Sequence, residues 1–252
     1  MNHGRVRLWR VFALGALLFP LAPEDGAAQS GGRDFLFRRP LFTLGFQVGY
    51  AVPMAGSDIY DFATKELTLS KSDFSSTTWL GSVAFRVTER IDIGVDVGYA
   101  NSNTRSEFRD WVDLDDLPIE QNTRLERIPV TFTVRGFLFE RGRRISRFAW
   151  VPGVWSPFAG VGIGQMHYAF KQTGDFVDYQ TLDIYSDNYR SEGNTGTVQL
   201  LAGVDYSLGT HFILRGEGRY SWGEAELSRD FVDFDPIDLS GLQGTVGISV
   251  RF

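Results

Sequence analysis

Leu242 to Phe252 read L-Q-G-T-V-G-I-S-V-R-F. Side chains of a strand alternate between its two faces. Leu242, Gly244, Val246, Ile248, Val250 and Phe252 therefore point one way, and Gln243, Thr245, Gly247, Ser249 and Arg251 the other. One face is apolar and ends on an aromatic ring, while the other is small or polar. A soluble sandwich gains little from a strand that stops this way. A strand of a transmembrane barrel needs about 9–11 residues, apolar toward lipid and polar toward the interior, and this stretch meets that description.

The same alternation recurs along the chain. Phe42, Leu44, Phe46, Val48 and Tyr50 oppose Thr43, Gly45, Gln47 and Gly49. Trp79, Val83 and Phe85 oppose Thr78, Ser82, Ala84 and Arg86, and Ile91, Ile93, Val95, Val97 and Tyr99 oppose Asp92, Gly94, Asp96 and Gly98. A fourth strand sets Ile128, Val130, Phe132 and Val134 against Thr131, Thr133 and Arg135. The fifth, Pro157 to Gly164, is glycine-dense. Val161 and Ile163 share a parity that Tyr168 and Phe170 do not, which predicts a bulge near Gly164. The sixth opposes Val198, Leu200, Ala202, Val204 and Tyr206 to Gln199, Gly203, Asp205 and Ser207, and the seventh opposes Phe212, Leu214, Tyr220 and Trp222 to Arg215, Glu217, Arg219 and Ser221.

With Leu242 to Phe252 as the eighth, the pattern predicts an all-β fold: an eight-stranded antiparallel up-and-down transmembrane β-barrel. Long polar connections at residues 52–76, 101–124, 171–195 and 223–239 alternate with shorter ones, so they gather at one end. An even strand count, short periplasmic turns and long extracellular loops mark outer-membrane barrels, and closure removes exposed sheet edges.

Ahead of the strands, Arg5, Arg7 and Arg10 precede an apolar run from Val11 to Ala22 and small residues at Gly26-Ala27-Ala28. Residues 1–28 read as a cleaved secretory signal peptide, because the run is shorter than the ~20 residues of a helical span and holds Pro20. Residues 29–40 read as a periplasmic leader and 41–252 as the barrel. The 252 residues contain no cysteine, which excludes disulfides, thiolate nucleophiles and cysteine metal sites.

The inward parity collects Arg86, Arg135, Arg215, Arg219 and Arg251 with Asp92, Asp96, Asp205 and Glu217. An eight-stranded interior is just wide enough for side chains to fill. These charges read as an ion-pair plug, with a gated conduit as the alternative. On the outward parity, Tyr50, Trp79, Tyr99, Tyr220 and Trp222 fall at the long-loop ends of their strands, where an aromatic girdle meets the membrane interface. A lipocalin-like soluble barrel would carry its aromatics inside instead.

This set of features resembles the small eight-stranded outer-membrane barrels, the group of the OmpA transmembrane domain, OmpX and OmpW-like proteins. The residues that carry it are the signal peptide, P-F-A-G-V-G-I-G at 157–164, L-R-G-E-G-R-Y at 214–220 and the strand ending in Phe252. The resemblance implies outer-membrane localisation, and that Val246, Ile248, Val250 and Phe252 form the C-terminal signal read by the barrel-assembly machinery. It departs from the full OmpA type, in that no peptidoglycan-binding domain is expected after Phe252.

The four long connections hold 21 acidic and 8 basic residues. Such a rim could bridge through divalent cations to lipopolysaccharide phosphates. Asp113, Asp115 and Asp116, and Asp233, Asp235 and Asp238, lack the offsets of an EF-hand loop and read as solvated loop residues, so no metal and no cofactor is expected. His167 and His211 lie at opposite ends of the barrel and neither has a serine two residues later, as the lipid A deacylases of this architecture do. No catalytic residue emerges. The formal charge of −6 argues against a nucleic-acid partner. The reading is a monomeric structural or surface-interaction barrel, with a narrow channel for small or hydrophobic solutes as the alternative and a lipid-modifying enzyme below both.

Overall fold

The computed structural model describes residues 35–113 and 115–252; the signal peptide and the leader as far as residue 34 lie outside them. Eight strands close into one antiparallel barrel: β1 (Phe42–Pro53), β2 (Ser76–Arg86), β3 (Ile91–Val112), β4 (Pro118–Phe137), β5 (Trp155–Val177), β6 (Ile184–Ser207), β7 (Phe212–Trp222) and β8 (Gly241–Arg251). Each pairs with its neighbours in sequence, and β1 closes on β8 from Thr43↔Arg251 to Pro53↔Gly241. Phe252 extends that seam. Its carbonyl accepts from the amides of Leu41 and Phe42 at 2.5 and 3.2 Å, and its ring stacks on Phe42 with centroids 4.8 Å apart.

The outward side chains are apolar, and none of the described residues covers them. Phe46, Val48, Phe85, Val97, Phe132, Ile163, Leu200 and Ile248 are all exposed, and together they ring the barrel. Neighbouring strands carry such residues at matched levels, as in Val95↔Val83, Val95↔Phe132 and Phe46↔Ile248. A belt of this kind is stable only against lipid.

Two expectations are corrected. The segments at 101–124 and 171–195 are not loops. β3 and β4 stay paired as far as Glu107↔Glu120, and β5 and β6 as far as Val177↔Ile184. These four strands run to 22, 20, 23 and 24 residues, against 12, 11, 11 and 11 for the others, so they rise well past what a bilayer spans. There is also no bulge near Gly164, since β4 and β5 pair without a shift from Gln121↔Gly174 to Phe137↔Phe158. Instead the inward face changes character, from glycine and polar residues to Met166, Tyr168 and Phe170. The connection from β4 to β5 folds into a hairpin of Gly142–Ser146 against Ala149–Pro152, and the backbone of Trp150 in turn pairs with Leu36 through two 2.8 Å hydrogen bonds.

Above the membrane belt the chain builds a second core, apolar and closed over the barrel mouth. The β1–β2 connection supplies α1 (Asp58–Glu66), which forms where Ile59, Tyr60 and Ala63 share one face, with acidic residues in the first turn and Lys65 in the last. These pack with Leu67, Leu69 and Phe74, with Phe108, Ile119 and Leu125 from β3 and β4, with Met166, Tyr168 and Phe170 from β5, and with Phe231, Ile237 and Leu239 from the β7–β8 connection. Tyr60 and Phe74 meet edge to face at 4.8 Å, and Phe170 meets Phe231 at 5.6 Å.

Candidate functional site: the barrel interior and its two ends

Strand parity turns the charged side chains inward, and the glycines of β5 make room for them. A Cβ at Gly164 would fall 2.0 Å from the carbonyl oxygen of Val130, and one at Gly160 would fall 2.4 Å from that of Val134. These positions approach the backbone of β4 too closely for any larger side chain.

At mid-height Asp96, Arg135, Glu217 and Arg219 form one cluster. Asp96 Oδ2 accepts from Arg135 Nη2 at 2.7 Å and from Arg219 Nη2 at 2.6 Å. Glu217 Oε1 accepts from Arg219 Nη2 at 2.6 Å and Nε at 3.1 Å, while Arg219 Nη1 donates to Gln199 Oε1 at 2.7 Å. Arg135 Nη2 stands 3.8 Å from Glu217 Oε2. Nearer the short-turn end, Arg215 grips Asp205 through two parallel bonds of 2.6 and 2.7 Å, and its guanidinium lies 5.0 Å from the Phe158 ring. Fork-to-fork pairing is the strongest form of such contacts.

Asp92 lies inside but is bound by a residue that strand periodicity does not reveal. Arg141, in the β4–β5 connection, reaches up to it with bonds of 2.5 and 2.6 Å. Among the described residues, Arg86 and Arg251 have no interior carboxylate in contact. Arg86 Nη1 is 3.9 Å from Glu89 Oε2, and Arg251 Nη2 donates to Ser207 Oγ at 2.6 Å. Both guanidinium groups stand over the ring of Trp150, at 5.1 and 5.9 Å. Trp150, 3% exposed, thus stops the short-turn end of the barrel. Beside Arg215 and Arg141, the side chains of Phe137, Phe158 and Leu201 add a small apolar cluster inside the wall. Loop position and a basic composition hid Arg141 and Trp150; the only signal was the basic run itself.

Tyr50, Trp79, Tyr99, Tyr220 and Trp222 all point outward, with Trp79 directly beside Tyr99 across β2 and β3 and Tyr220 touching Trp222 at 4.5 Å. A second aromatic level lies at the other end, where Trp155 meets Tyr206 at a tilt, centroids 4.6 Å apart, and Phe42 joins Phe85 and Phe252. Val246, Ile248 and Phe252 are exposed on the outward face of β8, and Val250 is half-buried there.

The acidic residues of the outer connections serve as backbone acceptors. Asp113 Oδ1 accepts from the amides of Asp115 and Leu117, and Asp238 accepts from those of Gly56 and Ser240. Among the described residues, no group of three or more His, Cys, Asp or Glu could hold a metal ion. His167 pairs with Asn194 at 3.2 Å and His211 with Thr210 at 3.0 Å, each on the outside of its own end.

No family model and no curated protein matches the chain. Among solved structures it is similar to Neisserial surface protein A, at 11% identity and a TM-score of 0.46, over 88% of this chain and 99% of that one. It is similar to Ail, the attachment invasion locus protein of Yersinia pestis, at 13% identity and a TM-score of 0.42, over 85% and 100%. A third is the outer membrane protease OmpT of Escherichia coli, at 11% and 0.30, over 89% and 100%. Eight strands in a closed antiparallel sheet, a lipid-ready outer belt between two aromatic levels and a charged inner face are all in the chain's own geometry. By that geometry the chain is an eight-stranded antiparallel transmembrane β-barrel.

Proposed function

We propose that this chain is an integral protein of the bacterial outer membrane, exported by a cleaved signal peptide, that acts as a structural or surface-interaction protein and is neither a channel nor an enzyme. One observation carries the reading: the lumen is occupied along its length. Ion pairs fill its middle, Trp150 and Arg141 stand at the short-turn end, and the core around Tyr60, Tyr168 and Phe170 covers the other. A solute would have to cross buried charge pairs that are costly to separate. What is left to act is the outer surface, whose acidic rim suits divalent-bridged contact with lipopolysaccharide phosphates. The barrel works as a monomer, and during biogenesis the assembly machinery reads Val246, Ile248, Val250 and Phe252.

Planar-bilayer recording of the refolded protein tests the central point. No unitary conductance is expected from the wild type or from Glu217→Gln; discrete openings in either would restore the channel. Mass spectrometry of lipid A with and without the protein should show no change, which addresses catalysis. Deleting Phe252 should lower the amount recovered in the outer membrane, and normal levels would remove the assembly signal from the reading.

A further inference from the structure

The two ends of the barrel carry opposite charge. The long connections hold 21 acidic and 8 basic residues, whereas the short-turn end, residues 35–41, 87–90, 138–154 and 208–211, holds seven arginines and two glutamates. Two of those arginines are already engaged: Arg141 grips Asp92, and Arg39 pairs with Glu89 at 2.8 Å. The remaining five, Arg38, Arg90, Arg143, Arg144 and Arg147, have no carboxylate within salt-bridge distance among the described residues. Arg38, Arg39, Arg144 and Arg147 surround one open recess of about 140 Å³ floored by Trp150 and Phe37.

The same hairpin is apolar at its turn. Ile145 and Phe148 are 62% and 65% exposed, Leu138 and Phe139 at its root are each 63% exposed, and Phe37 beside the recess is 63% exposed. Trp150 fixes this hairpin to the barrel: it is buried against Arg86 and Arg251 and bonded to Leu36. The lower aromatic level of Trp155, Tyr206 and Phe42 marks where the membrane interface falls. Free arginines and exposed rings thus sit together at the short-turn end, next to that aromatic level.

We propose that the hairpin at 142–152 and residues 35–39 beside it form a docking surface for anionic phospholipids of the leaflet at the short-turn end. The arginines around the recess hold the headgroup phosphate, and Ile145 and Phe148 enter the acyl boundary. Arginine is suited to this because its fork meets two phosphate oxygens at once. Basic residues at a membrane surface each raise affinity for anionic lipid by about fivefold. The proposal rests on the membrane reading above.

The test uses the full mature chain refolded into vesicles of phosphatidylglycerol and phosphatidylcholine in equal parts, released in mild detergent, with retained lipids counted by native mass spectrometry. Wild type should retain phosphatidylglycerol over phosphatidylcholine by at least about tenfold. Arg38→Gln/Arg144→Gln/Arg147→Gln, which leaves the Arg39–Glu89 pair in place, should lose that preference, and Ile145→Ser/Phe148→Ser should retain fewer lipids of both kinds. Heat-modifiable gel mobility, read on the same samples, reports folding and insertion. Inserted wild type with equal retention of the two lipids, or a triple variant with undiminished preference, overturns the docking surface alone. Protein that stays outside the vesicles overturns the membrane reading and this proposal with it.

Discussion

Strand β5 passes through two environments without changing register. In its lower half Val161 and Ile163 face outward, 53% and 65% exposed, and the inward positions are glycines beside charged neighbours. In its upper half Tyr168 and Phe170 face inward, 1% and 0% exposed, while His167 and Lys171 lie outward. β4 does the same, with Arg135 and Thr133 inside below and Leu125 and Ile119 inside above. The backbone hydrogen bonds are alike in the two halves; what differs is the solvent outside. Lipid asks for an apolar exterior, so the filling must satisfy its polar groups internally. Water allows a polar exterior, so the hydrophobic effect can fill the inside. One period-two pattern thus supports two opposite cores.

The lower core should be the more brittle to single substitutions, because its contacts are charged and buried. Asp96→Ala would leave Arg135 and Arg219 short of their shared acceptor. Removing one member of such a buried cluster costs about 3–5 kcal/mol, read as a lowered urea midpoint of the folded protein in detergent micelles. A loss under about 1 kcal/mol would mean that water, and not protein, balances these arginines.

In the upper core Phe170→Ala should cost about 3 kcal/mol by cavity formation, but locally. Phe170 touches Tyr60 and Phe231, contributed by two separate connections. Limited proteolysis should therefore cut the β1–β2 and β7–β8 connections faster while heat-modifiable mobility of the barrel is kept. Joint loss of both would make the two cores one cooperative unit.

The lower half was legible in the sequence and the upper half was not, for a physical reason. Lipid imposes one rule on every strand, apolar out and polar in, so alternation through Phe42–Tyr50, Ile91–Tyr99 or Leu242–Phe252 reads directly as a spanning strand. Above the interface the rule reverses, and a reader holding the first rule sees the change of parity at Tyr168 as a bulge and the polar outward residues of 101–124 as a loop. The interior charges could be located from parity alone. Their pairing could not, since Asp92 is met by Arg141 from a connection, and Trp150 occupies the lumen end that Arg86 and Arg251 face. A tertiary contact made by a non-periodic segment leaves no periodic trace.

The comparison can be sharpened by exchanging the outward faces. Val161→Arg, on the lipid side at mid-height, should cost about 2–4 kcal/mol. His167→Val, the same parity in the upper half, should change stability by no more than about 0.5 kcal/mol, since it loses only the exposed contact with Asn194. Both are read from the same urea series. Equal costs would mean that the interface lies above His167.

The smallest expected effect concerns how the upper half is tied together. Tyr179, in the turn between β5 and β6, donates its hydroxyl to Glu66 of α1 at 3.1 Å and lies edge-on to Trp111 at the end of β3, 6.2 Å away. Three connections meet at this one ring, whereas in the lower half each strand touches mainly its sequence neighbours. Partial burial, then the charge of Glu66 and the hydrogen bond to it, push the phenol up to about 12. An unfolded tyrosine ionises near pH 10, so folding favours the protonated ring. That contribution is complete below about pH 10 and disappears as the pH rises through about 12. A difference titration at the phenolate band, wild type against Tyr179→Phe, should isolate one group ionising near 12. A group ionising near 10 would mean that Tyr179 stands free of Glu66 in solution, and the upper half would then be held by its apolar core alone.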